Sequence, residues 1–432
     1  MPEAAPLIKG GPLSGADTAW MLTASGLVML MTPGLSFFYG GMVSKKNVIS
    51  TMLQSLICLG VVSLIWVIVG FSLTFGESFH GLIGNPLTFF MLRGVGGATH
   101  PTLAPTIPLI LFAFFQLKFA VITPALITGS FAERVRFSSY LIFISLFSLF
   151  IYAPLAHWTW HPEGFLRQWG VIDFAGGTVV HMSAGFAALA GALFLGRRKI
   201  HIERISHSPA NIPYVVLGTG MLWFGWFGFN AGSTLAANDV AAMAFATTNT
   251  ASAAAMLSWI FFDQLQGRKP SALGACIGSV VGLVAITPAA GYVSVGSSIF
   301  IGVLASMISN LAVHWKSKST LDDTLDVFSC HGVGGMVGML ATGIFTKDQG
   351  LLYGHSKTFL VHLAGLGIVA TYSFVASLIL YKITDMLLPL RVTADQELLG
   401  LDLSQHDETL FQNRDPRSHE KFIYGSYAEK TF

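Results

Sequence analysis

The sequence predicts an all-α polytopic membrane protein of eleven transmembrane helices: two inverted five-helix repeats plus one extra helix, with the N-terminus outside and the C-terminus inside. Composition is the first ground. Of 432 residues, 53% are hydrophobic and 11% charged, where a soluble domain carries about 25% charged residues. A water-soluble globule is excluded, all the more because 13 of the 46 charged residues fall between Arg391 and Phe432. Recurrent apolar runs and the placement of the basic residues are the other two grounds.

A helix needs about 20 mostly apolar residues to cross a bilayer. Such runs occur at 19–42, 49–76, 107–131, 137–155, 174–196, 211–231, 239–261, 271–287, 296–315, 326–346 and 358–385. They make one domain at 19–385, between an extracytoplasmic segment, 1–18, and a polar cytoplasmic tail, 386–432. Residues 1–18 lack a basic stretch followed by an apolar core, so the first helix is expected to direct its own insertion. Alternate loops hold twelve basic residues: Lys45, Lys46, Arg134, Arg136, Arg197, Arg198, Lys199, Arg204, Arg268, Lys269, Lys316 and Lys318. The opposite loops hold five: Lys9, Arg93, Arg167, Lys347 and Lys357. The richer set lies inside by the positive-inside rule, which fixes the orientation. Stretches such as GGTVVHMSAGFAALAGALFLG are dense in small residues, which let helices approach closely where lipid provides no hydrophobic push.

A net charge of +2 from 24 basic and 22 acidic residues excludes the dense basic stripe of a nucleic-acid binder. The three cysteines, Cys58, Cys276 and Cys330, are far apart in apolar runs, so neither a disulfide framework nor a Cys-x-x-Cys metal site is available. They read as packing residues. No cofactor or metal is expected.

A repeat at 150 residues is the most informative pattern. Asp173 precedes His181 by eight positions, and Asp323 precedes His331 by the same eight. Five spans separate the two aspartates, so they enter their helices from opposite sides. The two halves, about 19–196 and 211–346, are thus inverted, with helix eleven (358–385) extra. Inverted repeats place a substrate site near the midplane between the halves. An ionisable residue inside a span is expensive and points to function, so His181 and His331 are expected to face each other, neutral, across a narrow lumen. For either alone, a core histidine bonded to a backbone carbonyl is the competing reading.

Aromatic residues cluster around this pair: Phe119 in span three, Trp160 just beyond span four, and Trp226, Phe227 and Phe229 in span six. Ring faces attract desolvated cations. No acidic residue lies deep in the spans, which argues against a metal-cation path built on carboxylate rings. A cation that is recognised by aromatic faces and then surrenders a proton fits better, as ammonium can and potassium cannot.

These stretches resemble the ammonium transporter family (Amt/Mep, distantly Rh) over nearly the full length: TPGLSFFYGGMVSKKNV, FQLKFAVITPALITGSFAERVRFS, APLAHWTW, DFAGGTVVHMSAG, WFGFNAGS, LGACIGSVVGLVAITPAAGYV, DVFSCHGVGGMVG and GLDLSQH. The resemblance implies a homotrimer in the cell membrane with one pore per subunit, carrying ammonium or ammonia and also methylammonium. By motif position it implies Trp160 and Ser233, with Phe119 nearby, as the outer ammonium site. Phe119 and Phe229 would form the gate. Asp173 would support recruitment and deprotonation, His181 and His331 would line the lumen, and Asp323 would be the inner counterpart of Asp173. Thr287 matches a position near the outer vestibule. The tail resembles a regulatory C-terminus that cooperates with PII-type signal proteins at the cytoplasmic face.

The chain departs from the pattern at two places. Asp407 stands where the usual tail has Gly after the histidine, which challenges a turn that glycine adopts freely. Lys118 sits beside the gate residue, near the centre of span three, where a charged lysine costs about 2.5 to 3.5 kcal/mol. Vestibule water, a polar contact with a neighbouring helix or subunit, or loss of its proton would offset that cost; a place behind the gate or at a helix contact is expected. An ammonium receptor with little flux, signalling through the tail, is the competing function. An intramembrane metalloenzyme is disfavoured, since no HExxH or acidic cluster is present.

Overall fold

Helices account for nearly all regular structure in the computed structural model, which describes residues 10–205 and 208–410. Residues 1–9 of the expected outer segment and 411–432 of the expected tail lie outside the described residues. Eleven apolar helices follow in order: α1 Gly15–Met42, α2 Val48–Phe75, α3 Leu109–Phe131, α4 running from Phe137 to Trp160, α5 Gly177–Leu195, α6 Ile212–Ala231, α7 Asp239–Leu265, α8 Ala272–Ile286, α9 Val295–Lys318, α10 Phe328–Phe345 and α11 Ser356–Leu387. Ten of these among the described residues are long and apolar enough to cross a membrane, and α8 is a shorter apolar helix. The protein is a multi-pass membrane protein. Helix ends overrun the apolar windows where polar residues continue the helix beyond the hydrocarbon, as at Lys316 and Lys318 of α9. Trp160, expected just past span four, is the last residue of α4, because Ala153–Trp160 continues the helix beyond a π-helical turn at Ser148–Tyr152.

Close packing of α1 on α6 sets the centre of the bundle. A Cβ on Gly218 would run into the Phe38 backbone nitrogen, so any side chain there would force the two helices apart. α5 and α10 cross just as tightly, with a Cβ on Gly185 falling onto the Gly332 backbone nitrogen. Both of these helices open with a π-helical turn, Gly177–Met182 and Phe328–Gly332, and each turn contains one of the paired histidines. An extra residue in a turn redirects the side chains that follow, a device frequent at functional sites.

The loops rich in basic residues gather at one end of the bundle. There the Arg198 guanidinium donates to Glu133 Oε2 at 2.6 Å and to Asp322 Oδ1 at 2.8 Å, while Arg134 donates to the Asp322 carbonyl at 2.5 Å. Burial alone would raise the Asp322 carboxyl, but its hydrogen bond from Arg198 and the charges of Arg134 and Arg198 outweigh burial and hold it well below the usual carboxylate range. Two short helices of the tail, α12 Ala394–Leu399 and α13 Leu401–His406, lie across this end. Lys46 donates to the Glu397 and Leu398 carbonyls, Arg391 to those of Leu195 and Arg197, and Asp402 accepts from the Ser50 N–H at 2.8 Å. Asp407 makes the turn that glycine was expected to be needed for, at φ 55°; Asp is among the few side chains that enter the left-handed region readily.

Candidate functional site

At the end of the bundle opposite the basic loops, a cavity of about 480 Å³ is lined by Gln116, Phe119, Trp160, Asp173, Phe174, Ser233 and neighbours. α3 brings Phe119, the end of α4 brings Trp160, and the short turn after α6 brings Ser233. The Phe119 and Phe229 rings lie 4.3 Å apart at 36°, and Trp160 meets Phe119 edge-on at 5.7 Å. The Trp160 Nε1–H donates to the Asp173 carbonyl at 3.1 Å. Ser233 donates to the Phe229 carbonyl at 2.8 Å, which leaves its oxygen lone pairs free to accept. A small cation in this cavity thus meets ring faces and a hydroxyl acceptor together.

Asp173 is anchored from below. Its Oδ1 accepts from the Gly176 and Gly177 N–H groups at 2.9 and 2.6 Å, and its Oδ2 from the Thr178 N–H at 2.8 Å and from the Thr178 hydroxyl. The carboxylate therefore caps the π-helical turn that presents His181. Asp323 repeats the plan before α10: its Oδ2 accepts from the Phe328 N–H at 2.8 Å. Burial raises the Asp323 carboxyl above the ordinary range against the pull of the Lys316 ammonium, and Lys316 itself pairs with Asp326 at 2.7 Å.

Behind Phe229, whose ring centre is 6.0 Å away, His181 lies flat on Trp226 at 5.3 Å and 15°. Its Nδ1 stands 3.3 Å from Nδ1 of His331, so one ring carries the shared proton and the other accepts it. Both rings are buried. Among the described residues His181 Nε2 has no hydrogen-bond partner, which is unusual for a buried polar atom. Past His331 a second, small cavity is lined by Tyr39, Leu325, Cys330 and His331 itself. Aromatic pair, histidine pair and second cavity thus follow one another, each touching the next.

Other expected site residues fall differently. Phe227 stacks on Phe245 at 4.1 Å and takes no part in the aromatic cluster, because residues 227 and 229 of one helix point about 200° apart. Thr287 does not line the cavity. It is buried beneath Trp226, accepting from its Nε1–H at 2.9 Å. Lys118 also stays out of the cavity lining. Sequence reasoning passed over Gln116, which lines the cavity one turn from Phe119 with its amide oxygen unpartnered among the described residues. An amide inside the apolar run of α3 was the available signal.

The chain is similar to known proteins over most of its length. The family model described as Ammonium Transporter Family matches residues 19–411. The chain is 46% identical over 406 residues to an ammonium transporter of Aquifex aeolicus, covering 92% of this chain and 94% of that protein. It is 42% identical to ammonium transporter Amt1 of Archaeoglobus fulgidus, covering 92% of this chain and 100% of that protein. Among solved structures it is similar to Candida albicans Mep2, with a TM-score of 0.84, 36% identity and 94% and 92% of the two chains covered. It is equally similar in fold to a protein described as Sensor Amt Protein, with a TM-score of 0.84, 31% identity and 90% and 98% coverage. With eleven apolar helices and a buried histidine pair already in place, a match this long leaves one assignment: the chain belongs to the Ammonium Transporter Family.

Proposed function

We propose that the protein moves ammonium across the membrane by holding the cation at Phe119, Trp160 and Ser233, taking its proton there, and passing ammonia between Phe119 and Phe229 along His181 and His331. The succession of cavity, aromatic pair and histidine pair, each adjoining the next, carries this reading. Ring faces and the Ser233 oxygen favour the cation, and the Asp173 carboxylate adds a negative charge at the cavity wall. Beyond the rings the two imidazoles offer hydrogen bonds and no carboxylate stands among the described lining residues, so a neutral amine passes where an ion would be stranded. The proton left behind has a nitrogen-to-nitrogen link available through the two imidazoles. Methylammonium is the expected second substrate.

In this reading the helices form two inverted halves with α11 extra, the N-terminus outside and the tail inside. The similar π-helical openings of α5 and α10, each capped by an aspartate eight residues before its histidine, support the inversion. The chain assembles as a homotrimer with a pore in each subunit. Residues 386–432 act as a regulatory tail at the cytoplasmic face, where a PII-type protein docks. Current recorded on a supported membrane after an ammonium step, together with uptake of labelled methylammonium into vesicles, tests the transport reading. Saturable binding without flux would instead establish a receptor, the second reading, which the likeness to Sensor Amt Protein favours.

Thr287 and Trp226 support the pore indirectly. Thr287→Val removes the acceptor of the buried Trp226 N–H, and an orphaned donor costs about 1 to 3 kcal/mol. The variant is expected to melt several degrees lower. Uptake should fall about two- to tenfold, roughly the effect of up to 1.4 kcal/mol on a barrier, because Trp226 loses the bond that holds it against His181. An unchanged melting temperature would remove Thr287 from the supporting set.

A further inference from the structure

Lys118 lies near the middle of α3, half-buried, off the cavity lining, and without a hydrogen bond or ion pair among the described residues. One turn earlier on the same face Phe114 is 38% exposed, so this face looks out of the bundle. Mid-depth placement keeps the amine from snorkelling to either interface. A lysine here needs a polar partner that the chain itself does not supply.

Asn249 of α7 is the complementary group. It is exposed, and its amide also has no hydrogen-bond partner among the described residues. Its face carries Ala242, Ala246 and Ala253, small enough for another helix to come close. Lys118 follows the start of α3 at Leu109 by nine residues, and Asn249 follows the start of α7 at Asp239 by ten. At about 1.5 Å per residue both stand roughly 14 to 15 Å along their helices. As the third and seventh spans, α3 and α7 run in the same direction, which puts the two groups at matching depth. Rotation about an axis normal to the membrane preserves depth, so such an axis can bring one face of each subunit against the other face of the next.

We propose that a second copy of this chain packs its α7 against α3, with Asn249 of the second copy accepting a hydrogen bond from Lys118 at mid-membrane. The inference rests on the homotrimer reading and names a contact that builds the ring.

Full-length protein in detergent micelles tests this in two ways. Oxidation with copper phenanthroline should give a ladder of covalent dimers and trimers when Lys118→Cys and Asn249→Cys are combined, and none with either alone. Lys118→Met and Asn249→Leu should each raise the dissociated fraction at a fixed detergent concentration about three- to fifteenfold, with the combined variant no worse than either single one. Methylammonium uptake by Lys118→Met at the wild-type rate confirms that its subunit is folded. Intact trimers with no ladder, or losses that simply add, overturn the Lys118–Asn249 contact and leave the trimer standing. Wild-type protein found wholly as monomers by native mass spectrometry overturns the trimer reading itself.

Discussion

Replacing both His181 and His331 by apolar residues of similar volume, such as leucine, is expected to abolish selective, current-carrying ammonium transport while the protein stays folded. The two rings stand between the Phe119–Phe229 pair and the inner cavity, and His181 Nε2 has no hydrogen-bond partner among the described residues. Without them an amine past the rings has nowhere to place a hydrogen bond, and a proton has no route. Loss of one good hydrogen bond to a desolvated polar group costs about 1 to 3 kcal/mol. Two such losses together, at least about 2 kcal/mol, predict a fall of at least about thirtyfold in flux. Stability separates this from simple damage. A single replacement leaves the other ring's Nδ1 without its partner at 3.3 Å, whereas the double replacement removes both polar atoms and leaves nothing orphaned. Each single variant should therefore melt lower than the double one. A double variant with wild-type current and intact selectivity would defeat the assignment of the pair to the pore.

The sequence made this much legible because the signals were local or periodic. Apolar runs marked the spans to within a few residues, and the aspartate–histidine spacing marked both π-helical turns without naming them. What stayed hidden depended on contacts between distant segments. Nothing near Glu133, Arg134, Arg198 or Asp322 in the chain announces that four charges close into one buried network, since the partners lie up to 188 positions apart. Phe227 and Phe229 look equivalent in composition, and only the helical turn between them sends one to Phe245 and the other to Phe119. Thr287 lies in a stretch that carried the family resemblance, yet its role as a support for Trp226 emerges only when α8 packs beside α6. Resemblance located these residues without saying what they touch.

Asp173→Ala is expected to remove transport, and Asp173→Asn to be nearly as damaging, for two reasons that can be measured apart. The carboxylate accepts from three backbone N–H groups and a hydroxyl in the turn that begins α5. Alanine orphans all of them, and losing a cap alone costs about 0.5 to 2 kcal/mol. Asparagine keeps one acceptor oxygen for Gly176 and Gly177 but turns an amide NH₂ toward the Thr178 N–H, so it restores only half of the cap. The charge acts separately: at an effective dielectric near 20, a unit charge roughly 8 Å from a cation contributes about 2 kcal/mol, or some thirtyfold in occupancy of the outer cavity. Asparagine should thus lower the melting temperature less than alanine while lowering methylammonium uptake at low concentration by more than about tenfold. Raising the substrate concentration should recover part of the rate if charge sets occupancy, and none if the misplaced turn has moved His181. Normal uptake by the asparagine form at low concentration would reduce Asp173 to a helix cap, with no electrostatic part in recruiting the cation.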